Sequence, residues 1–199
     1  MSTGIVILAA GESTRMGQPK QLLAYRGSTL LQHTIDIAHT LPDAPVVVVL
    51  GANAEEIREQ VSSPGVIIVD NASWRDGMGG SLRVGLRALL ADCPKLSTAT
   101  FLLCDQPLFS SEMLHELIAT HERTCCEIVA SEYNGTLGAP ALFDCSLFPD
   151  LLALDSDIGA RQIIAKHRAK AIGVRFPDGA IDIDTPADYL SLSELTLPV

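Results

Sequence analysis

The sequence predicts an α/β fold: a doubly wound, mostly parallel sheet with helices on both faces, three layers in a single domain. Three observations predict it. Several short runs are apolar at every position, as strands are when helices cover both faces of a sheet. These runs alternate with helical patterns in a β-loop-α succession, which short right-handed crossovers join into one parallel sheet. Polar or glycine-rich loops follow several of the runs, at the carboxyl ends where open α/β sheets bind ligands.

Taken in order, Ile5–Ala10 is the first buried strand, and Gly11–Lys20 is a glycine-bounded loop carrying Arg15 and Lys20. Ser28 is placed to cap a helix running to about Thr40, with Leu30, Leu31, Thr34, Ile35 and Ala38 at helical spacing, before Pro42 and Pro45 end it. Val46–Leu50 is a second buried strand closed by Gly51, Ala54–Val61 a short polar-faced helix, and Val66–Val69 a third strand. Asp70–Ser81 is longer than a helix start requires and rich in polar residues and glycine, so it reads as a second binding loop. Leu82, Leu86, Leu89 and Leu90 continue it as a helix, which puts Gly79, Gly80 and Ser81 at a helix N-terminus. Ala99–Cys104 is the fourth strand, with Asp105–Gln106–Pro107 at its carboxyl end and a helix capped by Ser110 or Ser111 after it. Ile128–Ala130 and Ala171–Val174 read as strands, and Ser146–Leu154 and Ile158–His167 as helices. Asp182–Ile183–Asp184 alternates both aspartates onto one face, ahead of a helix with Pro186 in its first turn.

With 199 residues the chain is sized for one domain, 1–199, and its 47% hydrophobic and 19% charged residues suit a helix-covered sheet. A net charge of −10 argues against nucleic acid and anionic membranes, both of which need a basic field. An anionic small ligand would instead need local cations and a divalent metal. Cys93, Cys104, Cys125, Cys126 and Cys145 are odd in number and lack C-x-x-C spacing, so they suggest neither zinc nor disulfides, and a reducing, cytoplasmic setting is expected. The first apolar run is too short to span a bilayer and has no cationic leader before it. The five histidines show no ligand spacing.

The chemistry-bearing residues cluster at the loops. Five residues separate Gly11 from Gly17, and Lys20 comes three positions later, so the first loop is neither a P-loop nor G-x-G-x-x-G. Arg15 and Lys20 after a buried strand nevertheless point to phosphate, with backbone N–H groups supplying further donors. Asp105, just past a strand, suits either a helix cap or a magnesium ligand. Ser81 suits either a helix start or a hydrogen bond to a base.

Four ordered segments carry a family resemblance: L-A-A-G-x-S-x-R-M-G-x-P-K from Leu8, Asn71-x-x-Trp74-x-x-Gly77-Met78-x-x-Ser81-Leu82, Leu103-x-Asp105-Gln106-Pro107-Leu108, and Asp182-Ile183-Asp184-Thr185-Pro186. Together they resemble the motifs of the molybdopterin-type nucleotidyltransferases over nearly the whole chain. The resemblance implies a Rossmann-like fold of the nucleotide-diphospho-sugar transferase type. It also implies a reaction in which the phosphate of a pterin cofactor attacks the α-phosphorus of a nucleoside triphosphate and expels pyrophosphate. Carried over, Leu8, Ala9, Ala10 and Gly11 would contact the nucleotide, with Asn71, Gly79, Gly80, Ser81 and Asp105 completing its site. Lys20 and Arg15 would be catalytic, neutralising the triphosphate and the departing pyrophosphate. Asp105 and Asp184 would hold Mg2+, with Asp182 the alternative to Asp184. Ala9–Ala10–Gly11 and Pro19–Lys20 resemble the cytidylyl rather than the guanylyl branch, which makes CTP the expected donor.

Gly135–Phe143 and Asp157–Arg161 resemble the acceptor-side segments, with Gly138 and Arg161 the expected acceptor contacts and Ala139 standing where many relatives carry His. The expected product is the cytosine dinucleotide form of molybdenum cofactor. Alternatives are guanylyl transfer to that cofactor and nucleotidylyl transfer to a sugar or alcohol phosphate. A non-enzyme alternative is a carrier delivering the finished cofactor to an apo-molybdoenzyme, although a pure carrier has no use for paired carboxylates beside a triphosphate loop.

Overall fold

A computed structural model describes residues 2–61 and 63–196. The chain runs β1 (Thr3–Ala9), β2 (Ala24–Tyr25), β3 (Ser28–Thr29), α1 (Leu30–Ala38), β4 (Val46–Leu50), α2 (Ala54–Gln60), β5 (Val66–Asp70) and α3 (Met78–Asp92). It continues as β6 (Thr98–Leu103), α4 (Ser111–Thr124), β7 (Ile128–Tyr133), β8 (Thr136–Asp144), α5 (Phe148–Leu152), α6 (Ala160–Lys166), β9 (Ala171–Arg175) and α7 (Pro186–Thr196).

Seven strands form one twisted sheet in the order β5-β4-β1-β6-β8-β7-β9, and β2 and β3 make a small separate hairpin. Neighbours β5, β4, β1 and β6 are parallel, as are β7 and β9, while β8 runs antiparallel to both of its neighbours. The expected mostly parallel α/β sheet is what the chain forms. Strand side chains alternate between two cores, which is why the runs are apolar throughout. Val6, Leu8, Val47, Val49 and Phe101 pack under α3, α5 and α6, whereas Ile5, Ile7, Val46, Val48 and Leu102 pack under α1 and α4.

Sequence order leaves β1 toward β4 and β5 on one side and returns through α3 to β6 on the other. The crevice between the carboxyl ends of β1 and β6 is therefore the point where strand order reverses, the usual ligand position in such sheets. Register fixes what meets there: Leu8 pairs with Leu103, so the loops beginning at Ala10 and Cys104 leave the sheet side by side.

Some local expectations are corrected. Thr29, not Ser28, caps α1, its Oγ1 accepting from the Gln32 amide at 3.1 Å, because Ser28 is engaged with Tyr25 in the β2–β3 hairpin. Residues 146–154 form not one helix but a 3-10 turn, Cys145–Leu147, followed by α5; Asp144 accepts from the Ser146 amide at 2.9 Å and Pro149 opens the helix. Gly159 is extended, which delays α6 to Ala160. Strand β8 falls on the acceptor-side motif. Its Pro140 speaks against a central strand, yet the ladder shifts between Ala130–Ala141 and Ser131–Gly138, so Ala139 and Pro140 lie in an irregularity where no ladder N–H is needed.

Candidate active site

The first loop is shaped by a side chain that sequence reasoning passed over. Gln21, fully buried, donates from Nε2 to the carbonyls of Ala9 at 2.8 Å and Gly11 at 3.0 Å, while the Ala10 carbonyl accepts from the Ala52 amide at 3.1 Å. Across planar trans peptides the Ala10 and Glu12 N–H groups then point away from Gln21. Ser13 closes the remainder, its carbonyl accepting from Met16 and Gly17 and its Oγ from the Lys20 amide at 3.1 Å. Gly17 has φ +75°, a left-handed turn that favours glycine, and buried Met16 pins the loop to a small core shared with Tyr25, Leu30, Ile183 and Leu192.

This loop delivers Lys20 onto two carboxylates from opposite parts of the chain. Lys20 Nζ donates to Asp105 Oδ2 at 2.6 Å and to Asp184 Oδ1 at 2.9 Å, and Arg15 Nη2 donates to Asp184 Oδ2 at 2.8 Å. The four residues named as catalytic or metal-binding from the sequence thus form one cluster. Its inner member is Lys20, 11% exposed, and its rim is Arg15, 68% exposed. Burial opposes the Lys20 charge, but Asp105 and Asp184 outweigh it and hold the ammonium above the usual lysine range. Burial likewise pushes the Asp184 carboxyl up, and Lys20 and Arg15 outweigh that and hold it below the usual carboxylate range. Asp182 differs. Burial, and after it the charge of Asp105, pushes its carboxyl up, and it lines a second cavity rather than pairing with Lys20.

Backbone bonds aim the outer carboxylate. Asp188 Oδ2 accepts from the amides of Asp184 at 3.1 Å and Thr185 at 2.8 Å and from Thr185 Oγ1 at 2.8 Å, forming the N-terminal cap of α7. The Ile183 amide donates to the Asp105 carbonyl at 2.9 Å, tying the two carboxylate-bearing segments together.

Two cavities meet at Asp105. The first, about 280 Å³, is walled by Leu8, Ala9, Ala10, Gly11, Lys20 and Trp74 together with Ser81 of the second loop. The second, about 410 Å³, is walled by Tyr133, Ala139, Gly159, Arg161 and Asp182. Met78, Leu103 and Asp105 belong to both. Cys104 lines the first, but burial and then Asp105 push its thiol up to about 12, so it is no thiolate nucleophile.

The second loop is partly occupied by its own fold. Buried Asn71 donates from Nδ2 to Ser81 Oγ at 3.0 Å, fixing Ser81 at the cavity wall, and Arg75 stacks on Trp74 at 4.3 Å. Gly79 lies beneath the segment between α5 and α6. Its amide donates to the Ser156 carbonyl at 2.9 Å, and a Cβ there would stand 2.1 Å from the Asp155 carbonyl oxygen. Gly80 sits beside Asn71 Nδ2 and Ser156 Oγ. Arg83 latches the same segment by donating to the Leu154 carbonyl and, at 2.8 Å, to Ser156 Oγ. In the second cavity Arg161 Nη2 donates to Tyr133 Oη at 3.4 Å and Tyr133 donates to the Ala139 carbonyl at 3.1 Å. Gly138 lies behind that ring, where a Cβ would come 2.5 Å from Tyr133 Oη.

The donor set suits a hard divalent cation. Asp105 Oδ1 is buried without a hydrogen-bond partner, and Asp105 and Asp184 offer only oxygen. Among the described residues there is no cluster of three or more His, Cys, Asp or Glu side chains able to hold a metal. Such an ion would therefore take two carboxylates and complete its shell from water and phosphate.

Known proteins resemble this chain in sequence and in fold. The MobA-like NTP transferase domain matches residues 5–171. Nicotine blue oxidoreductase of Paenarthrobacter nicotinovorans is 32% identical over 165 residues, 78% of each chain. Bifunctional protein GlmU of Solibacter usitatus is 40% identical over 109 residues, 48% of this chain; the chain spans only 23% of that relative's length. Rv0371c of Mycobacterium tuberculosis H37Rv superimposes with a TM-score of 0.80 at 31% identity, covering 98% of both chains. Its manganese complex gives 0.77 at 30% identity, covering 98% of this chain and 99% of that one. No helix among the described residues is long and apolar enough to cross a membrane.

Proposed function

This chain belongs to the MobA-like NTP transferase family, and from that premise we propose that residues 1–199 act as one cytidylyltransferase domain, moving CMP from CTP to the phosphate of molybdenum-molybdopterin cofactor. The observation that carries the reading is the Lys20–Asp105–Asp184 cluster, whose Asp105 belongs to the walls of both cavities and whose Lys20 lines the first. Nucleotide occupies the first cavity, against Leu8–Gly11 and Ser81, and the acceptor occupies the second, against Arg161 and Tyr133. The acceptor phosphate then meets the α-phosphorus beside Asp105. Such transfers depend on positioning and on charge stabilisation of the leaving group. Lys20 and Arg15 supply that stabilisation to pyrophosphate, and Mg2+ held by Asp105 and Asp184 adds charge neutralisation when bound. The delivered cofactor would pass to an apo-molybdoenzyme.

The testing experiment measures pyrophosphate release from ATP, CTP, GTP and UTP with Mg2+, with and without molybdopterin cofactor. CTP- and cofactor-dependent release is expected, and Asp105→Ala should abolish it while the circular-dichroism spectrum is kept. No release from any triphosphate would overturn the transferase reading, whereas release dependent on GTP or on a sugar phosphate would replace the substrates. A second reading has one observation behind it, the identity to nicotine blue oxidoreductase over 78% of both chains. Under it the chain would act in an oxidation–reduction of nicotine blue, a reaction with no use for paired carboxylates around a lysine.

A further inference from the structure

The carboxylate pair that suits a metal is already shared by an ammonium. Lys20 Nζ stands 2.6 Å from Asp105 Oδ2 and 2.9 Å from Asp184 Oδ1, and Arg15 holds the other Asp184 oxygen at 2.8 Å. Of the four carboxylate oxygens, Asp105 Oδ1 alone has no hydrogen-bond partner among the described residues. A magnesium-like ion needs oxygens at about 2.1 Å, and on Oδ2 and Oδ1 it would stand within a few ångströms of the ammonium held there, two like charges competing for the same oxygens. Charge points the same way. Lys20 and Arg15 balance Asp105 and Asp184, and even with Asp182 beside them a divalent ion arriving alone leaves the cluster net positive, whereas one arriving with a triphosphate does not. The flexible lysine stem gives the ammonium somewhere to go, because Lys20 also lines the first cavity, where the phosphates would lie.

We propose that Lys20 is the resident cation of the Asp105–Asp184 pair and closes it to metal until a nucleoside triphosphate draws the ammonium into the first cavity, so that metal and nucleotide load together. The inference rests on the reading of Asp105 and Asp184 as the metal-holding pair. It predicts an unusual sign: removing a catalytic cation strengthens metal binding.

The test is a Mn2+ titration followed by the electron paramagnetic resonance of free Mn2+, with no nucleotide present, on the wild-type chain, Lys20→Met and Lys20→Gln. Both variants should bind Mn2+ about tenfold or more tightly than wild type, from the loss of one opposing charge. The double variant Lys20→Met/Asp105→Asn should lose the gain. Adding CTP should tighten Mn2+ binding strongly in wild type and little in Lys20→Met. Equal or weaker Mn2+ binding by a folded Lys20 variant overturns the proposal. So does tight wild-type binding without nucleotide, a measurement that needs no variant. Tighter binding in the variants with no turnover of any triphosphate would overturn the transferase reading and leave this inference standing; normal turnover with unchanged Mn2+ affinity would do the reverse.

Discussion

His33 shows how a single residue feels the fold. Its ring meets Tyr25 edge-on at 4.9 Å, and its Nε2 and the Tyr25 hydroxyl are buried with no hydrogen-bond partner. Burial, and after it the charge of Arg26, lowers its pKa from the ordinary 6.5, against weaker opposing effects of Asp36 and the Pro107 carbonyl. The unfolded chain regains the ordinary value and so binds more protons between the two. Stability contributed at this position is therefore present above the ordinary pKa and lost as pH falls through the imidazole range. Urea unfolding of wild type and His33→Gln between about pH 7 and about pH 5 checks this, the wild type losing more stability on acidification than the variant. A pH-independent difference would show that the buried imidazole does not titrate. Tyr25, in the β2–β3 hairpin, shares a small core with Met16 of the loop that carries Lys20, so local stability here bears on where the ammonium is held.

At the scale of elements, the second loop is organised by the segment between α5 and α6. Gly77 and Gly79 admit its backbone: a Cβ on Gly77 would meet the Ser156 carbonyl oxygen at 2.4 Å, on top of a φ of +123° that already favours glycine. That segment leads into Gly159 and Arg161 in the second cavity, while Gly77 belongs to the first and Met78 to both. Gly79→Ala should therefore lift the segment off the start of α3 and raise KM for both substrates, by about tenfold if roughly 1.4 kcal/mol of positioning is lost. Its global stability should fall by about 1–3 kcal/mol. Steady-state kinetics with each substrate varied in turn, beside hydrogen exchange at the residue 79 amide, is the measurement. A change in one KM alone would confine Gly79 to one cavity. The family resemblance points Gly79 at nucleotide; the structure gives its amide to Ser156, a bond between residues far apart in the chain that no local pattern announces.

Across the whole molecule, one helix sets how closely the layers stack. α3 crosses over β1 and β4 with Gly85 at the contact, where a Cβ would stand 2.3 Å from Val6 Cγ1 and 3.0 Å from Val49 Cγ2. Gly85→Leu should push α3 from the sheet, cost about 1–3 kcal/mol in urea unfolding and carry Met78 and Ser81 away from the site. An unchanged midpoint would show that the layers can absorb the added side chain. What the sequence determined by itself was the set of local patterns: apolar runs buried on two faces, helices of the right period, and loops whose residue types suit phosphate and metal. Those are legible because burial and turn chemistry act over a few residues. The antiparallel course of β8, with Pro140 in its ladder irregularity, was not legible, since pairing depends on a partner strand. Only the tertiary structure decided that β1 and β6 are neighbours. That adjacency puts Lys20 on Asp105 across 85 positions of sequence and on Asp184 across 164. The physical reason is that periodicity encodes which face a residue buries, while the contact that makes a site is fixed by strand order and by side chains, such as Gln21 and Arg83, that bond to distant backbone.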